Sequence, residues 1–140
     1  MKTILTIFAA LSVVACAPAT IEGLRNDHAS SYTFEIDENY QPVYRKILSR
    51  ARKCYQTGMI TAQMIVQGDL YHDIRMGNVT VALHGGFGVD THMTIDISAL
   101  DDEKTRIVVF NAVSTWNSAA RAVREWVEDN STECRPRRST

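Results

Sequence analysis

The chain has no excess of positive charge, no CxxC pair, no internal repeat, no low-complexity tract and no apolar run long enough to cross a bilayer. Each absence removes a class of protein. Fifteen bases against 16 acids leave a formal charge of −1, so no global field favours nucleic acid. Without CxxC, nothing marks a thiol–disulfide exchange centre. The run His84-Gly85-Gly86-Phe87-Gly88 is glycine-rich, yet it lacks the GK[ST] ending of a phosphate loop and does not lead into a helix, so it reads as a tight turn or glycine bend. No Ser/His/Asp set, catalytic-cysteine motif or nucleotide fingerprint is present, which moves weight from catalysis to binding.

What is present begins at the N-terminus. Residues 1–15 carry one Lys behind the initiator, then an uninterrupted apolar and small run ending at Ala15. That is the pattern of a secretory signal peptide, too short to span a bilayer. Val13, Val14, Ala15 and Cys16 resemble the lipobox of bacterial lipoproteins, with Val in place of the commoner Leu three residues before the cysteine. The resemblance covers only the leader. It implies cleavage before Cys16, lipid on the Cys16 sulfur and, with Ala rather than Asp at position 17, a place on the inner leaflet of the outer membrane facing the periplasm. Several acyl chains, at about 0.8 kcal/mol per buried methylene, make such an anchor permanent. An ordinary secretory signal cut after Ala15 or Ala17 is the alternative.

Removal of residues 1–15 leaves 125 residues, enough for one domain and too few for two large ones. Residues 16–31, the lipidated cysteine and a small, polar stretch without sustained period, are expected to form a flexible tether reaching up to about 50 Å. A single domain is expected over 32–134, followed by a basic tail at 135–140. Val43, Tyr44, Ile47, Leu48, Ala51 and Tyr55 recur at helical spacing, with Pro42 in a first turn and Gly58 as the stop. Strands are expected at 32–36, 61–72, 78–83, 89–97 and 105–113, separated by turns at Gly77-Asn78, Gly85-Gly86 and Asp101-Asp102. In the strand at 89–97, Val89, Thr91, Met93, Ile95 and Ile97 alternate with Asp90, His92, Thr94, Asp96 and Ser98. A second helix over 115–129, capped by Ser114 or Thr115, carries Trp116, Ala119, Ala120, Val123, Trp126 and Val127 as its apolar stripe. The expected fold is α+β: a mostly antiparallel sheet of four or five strands with two helices packed on one face. This order, with the lipid anchor, resembles the helix-grip domains of BamC-type lipoproteins, accessory components of the machinery that inserts outer-membrane barrels. The likeness is of layout over about residues 32–130, and no functional residue is carried over.

With Cys16 lipidated, Cys54 and Cys134 remain as an even pair in an oxidising compartment, and a disulfide is the default, a reactive thiol the alternative. The geometry is under tension. Two side-by-side antiparallel helices put these cysteines at opposite ends, and residues 130–134 reach only about 17 Å along a helix of about 22 Å. A steep helix crossing, or one long strand bent at Gly85-Gly86, is expected to relieve it.

The first helix bears Arg45, Lys46, Arg50, Arg52 and Lys53 and no acid. Pairing of the cysteines would add Arg135, Arg137 and Arg138 to this basic surface, suited to anionic headgroups, peptidoglycan carboxylates or an acidic partner. Glu125, Glu128, Asp129 and Glu133 approach the same bridge, so a self-neutralised face is the competing reading. Asp90, His92 and Asp96 share one strand face and are the residue types of a metal or acid–base site, although alternate polar residues are also what solvent exposure produces. The expectation is a non-enzymatic, periplasm-facing lipoprotein that docks a protein partner in an envelope assembly or secretion complex, without cofactor, metal or nucleic acid. A carrier or sensor of a small apolar ligand is the alternative, and a metal-dependent hydrolase a third reading.

Overall fold

The computed structural model describes residues 20–26, 31–113 and 116–135. Cys16, Ser114, Thr115, Arg137 and Arg138 lie outside them. The elements are α1 (Ile21–Asn26), β1 (Ser31–Ile36), α2 (Tyr40–Tyr55), β2 (Thr57–Met59), β3 (Ala62–Tyr71), β4 (Met76–Gly85), β5 (Gly88–Ala99), β6 (Thr105–Asn111) and α3 (Asn117–Glu128). The fold is α+β, with one antiparallel sheet in the order β1-β6-β5-β4-β3-β2.

The alternating and helical patterns of the sequence bury a single core. Val79, Val81, Met93, Ile95, Ile97, Ile107 and Val109 cover one sheet face, and Val43, Tyr44, Ile47 and Ala51 of α2 close over them with Ala120, Val123, Trp126 and Val127 of α3. Asn39 caps α2 by accepting a hydrogen bond from the Gln41 amide (3.0 Å), and its own amide donates to the Asp102 carbonyl at 2.9 Å. The helix ends at Gln56, two residues before the expected stop at Gly58. Gly58 serves the β2–β3 hairpin instead: its φ is 142°, and a Cβ there would stand 2.5 Å from the Ala62 carbonyl oxygen. Gly77-Asn78, expected as a turn, lies inside β4, where a Cβ on Gly77 would meet the Tyr44 ring at 2.7 Å. The glycine admits α2 close to the sheet, and the reversal falls earlier, at residues 72–75, with Arg75 at φ 55°.

Two elements add to the expected list. β2 is a three-residue edge strand that no alternation could announce. α1 falls inside the stretch expected to be tether, and lies on the opposite face of the sheet from α2 and α3, against β5 and β6. Leu24 is 6% exposed there, and Arg25 forms a two-pronged pair with Asp96, Nε to Oδ2 at 2.8 Å and Nη2 to Oδ1 at 2.6 Å. Asn78 donates to the same Asp96 (2.7 Å) and to Thr94 (2.9 Å), so a polar ladder across β4 and β5 receives the helix.

Cys54 and Cys134 are joined in a disulfide, with 5.3 Å between alpha carbons. The chain, not the sheet, relieves the predicted tension. Asn130 at φ 50° reverses direction after α3, and the Trp126 indole N–H donates to the Glu133 carbonyl at 2.7 Å, strapping the tail back along the helix it has just left. Gly85 and Gly88 face each other across a hairpin, so β4 and β5 are separate strands rather than one bent strand.

Candidate functional site

Helical spacing directs Arg45, Ser49, Arg52 and Lys53 away from the sheet, because the opposite face of α2 is held by Val43, Tyr44, Ile47 and Ala51. Lys46 and Arg50 lie on the flank toward α3. Lys46 is engaged: its Nζ donates to Glu38 Oε2 at 3.2 Å and to the Val127 carbonyl at 3.4 Å, where a cation complements the C-terminal end of α3. Arg45, Arg50, Arg52, Lys53 and Arg135 make no ion pair among the described residues. Of the acids expected to neutralise them, Glu128 binds Arg124 at 2.8 Å within α3. Arg52 and Lys53 fill the last turn of α2, where they also complement its dipole.

The disulfide brings Arg135 to this end of α2. Cys54, Tyr55, Trp116, Ser118, Ala119, Cys134 and Arg135 line an open cleft of about 400 Å³ beside the bridge. Beneath it lies a cluster that sequence reasoning placed elsewhere. Val81 faces Met93 and Ala82 faces Thr91, so a bulge leaves His92 without a partner on β4. The extra residue reverses the expected alternation on its N-terminal side. His92 turns to the helical face and stacks on Trp116, ring centroids 5.3 Å apart and planes 17° apart. Tyr55 packs against the same indole at 5.5 Å and against Trp126 at 6.1 Å. Tyr55 Oη, His92 Nε2 and Asn111 Oδ1 are buried without a hydrogen-bond partner, and burial pushes the Tyr55 hydroxyl up to about 12. A buried polar atom without a partner is a place for a water or a ligand group to dock.

The trio Asp90, His92 and Asp96 is not assembled. Counting from the bulge puts Asp90 and His92 on the helical face and Asp96 on the other, where Arg25 and Asn78 hold it. His72 meets Gln41 at 3.2 Å at the far end of the sheet. Among the described residues no group of three His, Cys, Asp or Glu is placed to hold a metal, and no helix is long and apolar enough to cross a membrane. At the far end, Arg106 and Lys104 hold the Glu35 carboxyl below the usual range, and Asp37, Asp101, Asp102 and Glu103 crowd the adjoining surface. Acids outnumber bases at this far end even with Arg75, Lys104 and Arg106 paired there, while bases outnumber Asp90 and Glu133 at the disulfide end. The chain matches no known protein family, no curated protein and no solved structure.

Proposed function

We propose that the chain is a non-enzymatic envelope lipoprotein, anchored through Cys16 and facing the periplasm, whose domain docks an acidic protein partner along the outer face of α2. One observation carries this reading: Arg45, Arg50, Arg52 and Lys53 line one helix without an ion pair among the described residues, while Glu128 of the neighbouring α3 pairs with Arg124. A solvated structural helix ordinarily interleaves charges of both signs; this one leaves its attraction unspent. A photo-crosslinker at Ser49 in living cells tests it. The expected result is one discrete protein adduct that disappears on Arg45→Glu with Arg52→Glu while the Cys54–Cys134 bridge still forms. An adduct indifferent to charge reversal, or none, would defeat the proposal. Mass spectrometry of the mature N-terminus tests the anchor separately, an unmodified Cys16 being the adverse outcome.

A second reading is favoured by the orphaned Tyr55, His92 and Asn111 atoms, which a bound small molecule would satisfy. Native mass spectrometry of protein taken from the envelope decides it, co-purified mass on the parent but not on a Trp116→Ala variant being the supporting outcome.

A further inference from the structure

Ala62 stands opposite Gly85 in the β3–β4 pairing, so the β2–β3 turn and the β4–β5 turn emerge side by side from one end of the sheet. Both carry apolar side chains into open space. Ile60 and Phe87 are fully exposed and Met59 is nearly so. A Cβ built on Gly86 or Gly88 would meet nothing, so the second turn stands clear of the rest of the protein. Large apolar side chains held in water on two adjacent tips forgo the burial that folding gives their counterparts elsewhere.

Bases outnumber acids around the tips, where Asp90 and Glu133 are the acids. α2 ends at the same end of the sheet, where Tyr55 leads directly into β2, and presents Arg52 and Lys53 there; the disulfide adds Arg135. None of the three has an ion pair among the described residues. The opposite end carries Asp37, Asp73, Asp101, Asp102 and Glu103, of which Asp102 pairs with Arg75, and Lys104 lies among them paired to Glu35. A plane of negative charge therefore favours the disulfide end of the domain over the other.

We propose that this end of the sheet docks on a lipid bilayer bearing anionic headgroups, Ile60 and Phe87 entering the acyl boundary while Arg52, Lys53 and Arg135 lie over the phosphates. The bilayer fits better than a folded partner because the apolar groups stand on two separate tips and form no continuous flat patch to match another surface. Lipid closes around separate protrusions without shape complementarity. The proposal does not rest on the docking reading of α2, and it adds an orientation to it: the acidic end points away from the membrane.

The test uses the full chain carrying Phe87→Trp, with vesicles whose acyl chains are brominated. An anchor at Cys16 would attach the chain to any bilayer, so the readout is local: the emission added by the new indole over that of the parent. With phosphatidylglycerol in the vesicles, this emission shifts to the blue and loses most of its intensity. With Arg52→Glu and Lys53→Glu it returns to its aqueous position, and Ile60→Ser lowers the apparent affinity of the tip by about tenfold. An indole that keeps its aqueous emission on anionic vesicles overturns the proposal, as does equal quenching in phosphatidylcholine alone. A blue shift that appears without lipid and grows with protein concentration also overturns it, by showing a second copy seated on the tips.

Discussion

The bridge between Cys54 and Cys134 closes a loop with a sequence separation of 80, spanning β2 to β6 and all of α3. Its removal by Cys54→Ala with Cys134→Ala acts chiefly on the unfolded chain. The loop-closure expression at this length gives about 4.5 kcal/mol at 25 °C. The folded side loses little, because the Trp126–Glu133 hydrogen bond still straps the tail and Trp126 remains in the core. Against the roughly 5 to 15 kcal/mol of ordinary domain stability, this is a large share. Urea unfolding followed by Trp fluorescence and circular dichroism should show the midpoint falling by about 2 to 3 M, and the thermal midpoint by about 20 to 30 °C. The slope of free energy against urea should rise, since the uncrosslinked chain unfolds to a more expanded ensemble. A stability loss below about 1 kcal/mol with an unchanged slope would refute the reasoning, by showing that the bridge does not restrict the unfolded state.

Tyr55→Phe should stabilise the protein by up to about 1 kcal/mol at neutral pH, because it removes a buried hydroxyl that has no partner. The same residue predicts an alkaline limb. The folded value is raised to about 12, so the unfolded chain loses this proton first, and stability falls as pH rises from about 10 to about 12, by roughly 2 to 3 kcal/mol. Denaturant titrations of parent and variant across that window check it, an identical fall in both counting against it. Gly77→Ala should destabilise by about 1 to 2 kcal/mol by pushing the Tyr44 ring off β4, measured in urea; a neutral result would mean that α2 has room to spare. Arg25→Ala should lower global stability by no more than about 1 kcal/mol, since the pair is partly exposed. It should nevertheless melt α1, because six residues cannot hold a helix alone. Hydrogen exchange across residues 21–26 reads this directly, and retained protection would contradict it.

α2 was legible because its buried residues repeat at three and four over 16 residues, long enough for period to outweigh noise. β5 was legible from Met93 to Ile97 for the same reason at period two. Its bulge was not, because a bulge is a property of two strands: the β5 sequence goes on alternating while its register against β4 slips between Val81 and Ala82. That one slip sent His92 to Trp116 and parted Asp90 from Asp96, so the polar cluster under the cleft was beyond reach of spacing arguments. Gly77-Asn78 misled because a glycine needed for close helix packing looks the same in sequence as one needed for a turn. α1 is too short for periodicity and is held by Leu24 and by Arg25 against a distant Asp96. Of the basic surface, sequence supplied the charges and structure their engagement: Lys46 is committed to Glu38 and the end of α3, and the others are not.

The sheet orders its own assembly. β2 through β6 form a meander in which each strand pairs with the next, and such local hairpins close quickly. β1 is different: Ser31 pairs with Phe110 and Ile36 with Thr105, across most of the domain. Until it arrives, β6 presents a row of unpaired amides and carbonyls behind a strand rich in valine and isoleucine, the condition in which strands recruit neighbours from other chains. Among the described strands, the earliest in the chain is thus the one whose pairing waits on most of the domain, and a β6 left unpaired is an edge open to aggregation.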